Sequence, residues 1–216
     1  MFFETAKSIL LMVSALFPIV NPIGGSPVFL LLTQDYSRES RKLLARRVAM
    51  NSFILLIVSM AVGTHILSFF GISLPVVQVG GGLIVVSTGW AMLTRSDQVG
   101  QVHQTVTTQD VLKNAFYPLT LPLTVGPGAI SIAITLGANE PRNLGANVLA
   151  LISAAIGAAL IALTIYLCYG YADRLAAAIG QSGMNLILRL SSFLLVCIGV
   201  QIFWNGLSTL VKTLNT

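Results

Sequence analysis

Charge is what this 216-residue chain has least of: only 9% of its residues are Asp, Glu, Lys or Arg. The acids, from Glu4 to Asp173, all lie outside the long uncharged runs. That absence weighs against the carboxylate-based proton coupling common in membrane pumps. It also leaves no acid pair, His-Glu-x-x-His motif or Ser/His/Asp set where one could act, so no catalytic residue is assigned and the chain is not read as an enzyme. Cysteine is scarce as well. Cys168 and Cys197 both fall in apolar stretches, where a lone cysteine behaves as a small hydrophobic side chain. Neither a disulfide nor a metal site is expected, and no cofactor is implied.

What the chain does have is hydrophobic length. Apolar residues make up 55% of it, and the mean hydropathy is +0.86. Uncharged runs cover 8–34, 48–94, 114–139, 143–172 and 190–211. A bilayer core takes about 20 apolar helical residues, and each run meets that. The second run is too long for one helix and is expected to turn at Gly71-Ile72-Ser73-Leu74-Pro75. Six spans follow, near 8–33, 47–70, 75–94, 112–137, 146–170 and 186–210. The first run is too long for a removable signal peptide and lacks its basic flank and cleavage site.

The formal net charge of +5 does not point to nucleic acid, because the cations are segregated. Arg38, Arg41, Lys42, Arg46 and Arg47 fill the first loop, Arg95 and Lys113 flank the third, and Arg174 and Arg189 flank the fifth. Lys7, Arg142 and Lys212 are left for the other side. The positive-inside rule then makes loops one, three and five cytoplasmic and both termini external, with the basic run meeting lipid headgroups. A short surface helix beginning at Ser37 is expected within it.

The two stretches with most information are Phe17–Leu30, FPIVNPIGGSPVFL, and Tyr117–Ile130, YPLTLPLTVGPGAI. At an offset of 100 residues Pro18, Pro22 and Pro27 fall on Pro118, Pro122 and Pro127. Such coincidence indicates an internal duplication. A weaker match at an offset of 110 sets Gly89 on Gly199 and Gly81-Gly82 on Ser191-Ser192. Three spans per half is an odd number, so the second half inserts upside down. The expected fold is therefore an all-α membrane protein of six transmembrane helices in two inverted three-helix repeats, with the first and fourth broken near the midplane. The repeats are 1–94 and 112–216, joined by a cytoplasmic linker at 95–111.

Proline inside a span removes a backbone donor and clashes with the preceding turn. Freed polar backbone is tolerated at membrane depth only if buried in protein or lining a watery cavity. Ser26-Pro27 and Gly126-Pro127 read as starts of second half-helices, since Ser is a good N-cap and Pro suits the first helical position. A helix start offers unpaired N–H groups and about half a positive charge, enough to hold an anion without a basic side chain. Opposed carbonyl ends would hold a cation, so the pair suits a zwitterion. Candidate binding residues are Asn21, Pro22, Gly24, Gly25, Ser26, Thr120, Pro122, Thr124, Gly126, Pro127 and Gly128. The alternative is that these prolines and glycines only kink packed helices.

His65 is the one titratable group inside a span, readable as a proton relay or as an imidazole bonded near the membrane edge. Arg189, opening the last span, is either a snorkelling anchor or a counter-charge at an inner mouth. Both are carried as gating or coupling candidates.

The motifs at Asn21–Leu30 and Pro118–Ile130, with RLSSFLLVCIGVQ at Arg189–Gln201, resemble those of the MarC family of six-span membrane proteins. The matching positions are Asn21, Pro22, Gly24, Pro27, Pro122, Gly126, Pro127, Gly128 and Arg189. The resemblance implies a prokaryotic cytoplasmic-membrane protein of the neutral amino acid transporter group, some members of which move small neutral amino acids such as glycine and alanine. The second repeat has Leu121 where the first has Asn21, so a side-chain amide comes from one half only.

The leading expectation is a secondary transporter of small neutral amino acids working by alternating access. Its partners would be that substrate and membrane lipid, with no nucleic acid, and a homo-oligomer is left open. The alternatives are a lipid-handling protein and a membrane scaffold without amino acid transport.

Overall fold

The computed structural model describes residues 2–34, 36–94, 115–138 and 144–214. Those residues form eight helical elements and no strand: α1 (Phe2–Val20), α2 (Pro22–Leu32), α3 (Arg38–Phe69), α4 (Leu74–Thr94), α5 (Ala115–Thr124), α6 (Pro127–Ala138), α7 (Leu144–Gly170) and α8 (Ala172–Leu214). All-helical structure is what lipid requires of an open chain, because each backbone amide must find its partner within the segment. Among the described residues five stretches are long and apolar enough to cross a bilayer, and six if the bent pair α5–α6 counts as one crossing. The linker at 95–111, Lys113 and Arg142 lie outside the described residues.

The same proline spacing gives two different local structures. In the first stretch one residue, Asn21, takes the left-handed conformation (φ 46°, ψ 56°) between α1 and α2. Bonds from the Asn21 amide to Phe17 O and from the Gly25 amide to Asn21 O, both 2.9 Å, carry the helical ladder across it. Thr5–Leu32 therefore runs as one apolar stretch. This corrects the expectation of a fresh helix start at Ser26-Pro27. The cap is Asn21, Pro22 takes the first helical position, and Pro27 sits inside α2. Pro27 has no amide for the Ile23 carbonyl, and the Ser26 hydroxyl supplies the missing donor at 2.8 Å.

In the second stretch Tyr117 (φ −122°, ψ 126°) and Leu121 (φ −114°, ψ 124°) are extended. Each precedes a proline, which disfavours the helical region for its neighbour. The segment widens, with Thr120 donating to Ala115 O at 2.7 Å and Thr124 to Leu119 O at 2.6 Å, each five residues back. After Gly126 the chain restarts as α6, set at 71° to α5.

The basic run does not form a separate surface helix. Ser37 caps it, accepting from the Ser40 amide at 3.2 Å, but the helix continues without interruption as α3. The region between Arg174 and Arg189 is likewise helical, interrupted at Gly180 (φ 75°).

α1 and α2 pack on α7, and α2 also on α8; α5 and α6 pack on α3, and α6 also on α4. The central pairs are α3 with α7 and α4 with α8. Leu16, Phe29, Leu44, Val48, Leu56, Ile161 and Ile165 are buried in the common core. Leu10, Trp90, Leu151 and Phe193 stay exposed on the outer faces. Lipid tails are as apolar as leucine, so such helices associate through close packing rather than through exclusion from water. The α4–α8 crossing shows this most directly. A Cβ on Gly199 would lie 2.6 Å from Val86 N and 2.9 Å from Gly82 O, and one on Gly89 would lie 2.9 Å from both Ser192 O and Val196 N.

Candidate functional site

Between the two proline stretches and α4 lies a cavity of about 660 Å³. Asn21 and Gly25 line it from the first stretch. Pro122, Thr124, Gly126, Pro127 and Gly128 line it from the second. α4 closes the third side with Val85, Ser87 and Thr88. Seven of the eleven binding candidates read from sequence thus share one cavity wall.

The other four stand behind it. Pro22, Gly24 and Ser26 are buried in the first turns of α2. Thr120 is fully buried; its hydroxyl is spent on Ala115 O and accepts from the Asn51 amide at 3.4 Å. Neither of the gating candidates reaches this cavity. His65 lines a second cavity of about 720 Å³ with Thr64, Ser68 and Gly137, and Arg189 is exposed on α8.

The two helix starts at the first cavity differ in what they offer. At α2 the Asn21 Oδ1 accepts from the Gly24 amide at 3.1 Å, so that start is already capped. The opposite end of the same carboxamide, Nδ2, is buried without a hydrogen-bond partner. A buried unpaired amide donor costs about 1–3 kcal/mol, a deficit that a ligand acceptor would remove. At α6 the residue before Pro127 is glycine, which has no side chain to occupy the free amides of the first turn. The amides of Gly128 and Ala129 therefore keep the partial positive charge of an open helix start. Gly128 is itself buried on the cavity wall.

Tyr169, on α7, was not singled out in the sequence and is central here. It is fully buried, its ring stacks on Phe29 with centroids 4.5 Å apart, and its hydroxyl lies 3.1 Å from Thr124 Oγ1. A Cβ on Gly25 would come within 2.6 Å of that hydroxyl. The signal was available: a tyrosine within an Ala/Gly-rich span needs a partner for its hydroxyl, and the polar atoms of the proline stretches are the natural place to find one.

Arg41 also departs from its expected place. It is only 8% exposed instead of meeting headgroups. Its guanidinium donates to Thr33 O at 2.9 and 3.3 Å, to Tyr36 O at 3.3 Å, and to the Asp173 carboxylate. The carbonyl end of α2 and an acid at the start of α8 draw it inward, as a buried charge must be paired and hydrogen-bonded. Among the described residues no group of His, Cys, Asp and Glu is arranged to hold a metal ion.

A family model described as MarC family integral membrane protein matches residues 6–211. The chain is 30% identical over 196 residues to UPF0056 membrane protein MJ1677 of Methanocaldococcus jannaschii, covering 90% of this chain and 93% of that one. It is 30% identical over 205 residues to UPF0056 membrane protein YvbG of Bacillus subtilis, covering 94% and 95%. It is 29% identical over 215 residues to the UPF0056 inner membrane protein MarC of Salmonella typhimurium, covering 96% and 97%. No solved structure matches.

Proposed function

The chain belongs to the MarC family of integral membrane proteins, and from that premise we propose that it is a secondary transporter of small neutral amino acids. The observation that carries the proposal is the cavity walled by both proline stretches, with the glycine-preceded start of α6 on one side and Asn21, whose Nδ2 is buried and unpaired behind the wall, on the other. The substrate carboxylate sits at the amides of Gly128 and Ala129, and the Asn21 carboxamide turns from the back of the wall to bring its unpaired Nδ2 to it. Its ammonium group takes main-chain carbonyls that Pro22 and Pro122, lacking amides, leave without their usual donors. Both substrate charges are then met by dipoles. Val85 and other apolar residues of α4 suit a small aliphatic side chain and disfavour a charged one.

The inverted-repeat arrangement is part of the same reading, with halves at 1–94 and 112–216 about a cytoplasmic linker and both termini external. Its support is a contact that maps onto itself. The offset of 110 takes Gly82 to Ser192, Val86 to Val196 and Gly89 to Gly199. The neighbours of Gly199, Gly82 O and Val86 N, thereby become Ser192 O and Val196 N, which are the neighbours of Gly89. The register also reverses along the pair, Gly206 meeting Pro75 and Gln78 at one end and Gly89 meeting Ser192 at the other, so the helices are antiparallel. A two-fold axis relating antiparallel helices runs perpendicular to them, hence in the membrane plane, as an inverted repeat requires.

Uptake of labelled glycine or alanine into proteoliposomes tests the proposal. Saturable uptake is expected; no uptake and no binding across the small neutral amino acids overturns it. One observation favours a second reading, lipid handling: on the α4 wall Ile84, Ser87 and Thr88 are exposed on the outer surface, so the cavity has a side towards lipid. Headgroup transfer between leaflets in the same vesicles, without amino acid uptake, would select it.

A further inference from the structure

Resting on the transport reading, we propose that Val85 sets the upper limit on the size of the substrate's side chain, and that the limit is sharp because the backbone behind Val85 cannot give way.

Val85 is buried on α4 and lines the substrate cavity together with Gly128. A Cβ on Gly128 would lie 2.0 Å from Val85 Cγ2, so that methyl group already fills the place a side chain would take. The Cα–Cβ bonds of a helix tilt towards its N-terminus. The Val85 methyl therefore sits at the N-terminal flank of Gly128, the end at which the first-turn amides of α6 are open. A carboxylate held by those amides has its α-carbon one bond away and the first side-chain atom two bonds away. The substituent on that α-carbon is brought against Val85.

The wall behind Val85 is fixed on two sides. Towards α8, a Cβ on Gly82 would lie 2.7 Å from Gly199 O, and one on Gly89 would lie 2.9 Å from Ser192 O. These two glycines bracket Val85, and backbones that close leave α4 nowhere to retreat. Towards α6, Ser131 donates to Val77 O at 3.0 Å, and a Cβ on Gly81 would come within 2.5 Å of the same hydroxyl. That bond ties α6 to α4 one turn beyond Gly128, so the helix start and the wall keep their separation.

The repeat relation supplies a contrast. The offset of 100 takes Gly128 to Val28, and the offset of 110 takes Val85 to Leu195. Val28 and Leu195 line the same cavity. One half offers a glycine and a valine, the other a valine and a leucine. The bulkier pair leaves less room, which makes the α6 side the one that receives the substrate's side chain.

Competition against labelled glycine in proteoliposomes tests this, with unlabelled alanine, 2-aminobutyrate, valine and leucine as competitors. In the unaltered protein, potency should fall steeply beyond alanine. Val85→Ala should raise the potency of valine relative to alanine by about tenfold or more, because one methylene in an apolar pocket is worth roughly 10–200-fold. Val85→Leu should exclude alanine and retain glycine. Val85→Thr, equal in shape, should keep the original order, as should Leu83→Ala on the outer face of α4. Each ratio is read within one variant, so a lower yield does not alter it. A second readout needs no substrate: Gly128→Ala should lower the melting temperature, and adding Val85→Ala should recover part of the loss. Unchanged ratios in both Val85→Ala and Val85→Leu, a changed order in Val85→Thr, or simply additive melting temperatures overturn the proposal. Unchanged ratios beside normal glycine uptake leave the transport reading standing. Absence of uptake by the unaltered protein removes that reading, and this limit with it.

Discussion

Tyr169 and Thr124 meet hydroxyl to hydroxyl at 3.1 Å, although 45 residues separate them in sequence. Thr124 already donates to Leu119 O, so the phenol is the donor between them. The bond holds the side chain of a cavity-lining threonine from behind, and it joins α7 to the widened end of α5. Four predictions draw on this and the neighbouring geometry.

Gly25 and Tyr169 should be coupled. Gly25→Ala places a methyl against the Tyr169 hydroxyl, and Tyr169→Phe removes a buried hydrogen bond of roughly 0.6–1 kcal/mol. Each lowers the melting temperature in detergent. The double variant should be more stable than the sum of the two predicts, because the phenylalanine gives the methyl room. Simple additivity would show that the two residues do not press on each other.

Asn21→Gly separates architecture from binding. Glycine adopts the left-handed conformation freely and is a fair cap, so the stability change should be small, roughly 0.3 kcal/mol. The Nδ2 donor is lost, and uptake should fall by about tenfold or more, the loss of one charge-assisted hydrogen bond. Wild-type uptake would remove Asn21 from the binding wall.

Gly126→Leu fills the space at the uncapped start of α6. The protein should still insert, judged by yield and by elution as a single species, while uptake is abolished. Normal transport by this variant would rule out the placement of the site.

His65→Ala should leave most uptake intact, since the imidazole is exposed at the rim of the second cavity rather than beside the substrate. A complete loss, measured under an imposed proton gradient, would establish the relay instead.

The apolar runs and the prolines made much of this legible beforehand. Span positions followed from hydrophobic length, and the paired proline stretches do wall one cavity. Their local structures were not legible, because proline spacing does not say how the freed carbonyls are satisfied. At Ile23 a serine hydroxyl does it; in α5 the helix widens instead, with two threonine hydroxyls bonding carbonyls five residues back. Arg41 was hidden for another reason. In sequence it is one of five cations in a basic run, and only the fold brings it to Asp173, 132 residues away. Tyr169 was legible in part: its hydroxyl in an Ala/Gly-rich span called for a polar partner, but only the fold shows that the partner is Thr124.

Where α4 crosses α8, main chain lies directly against main chain, with no side chains between to deform. Two rods held so close cannot slip lengthwise past each other without backbone colliding with backbone. Nor can they swivel, because the close approach runs from Gly206 against Pro75 at one end to Gly89 against Ser192 at the other. Whatever motion this protein makes, α4 and α8 should serve as its stationary axle, and the displacements should grow with distance from Gly82 and Gly199.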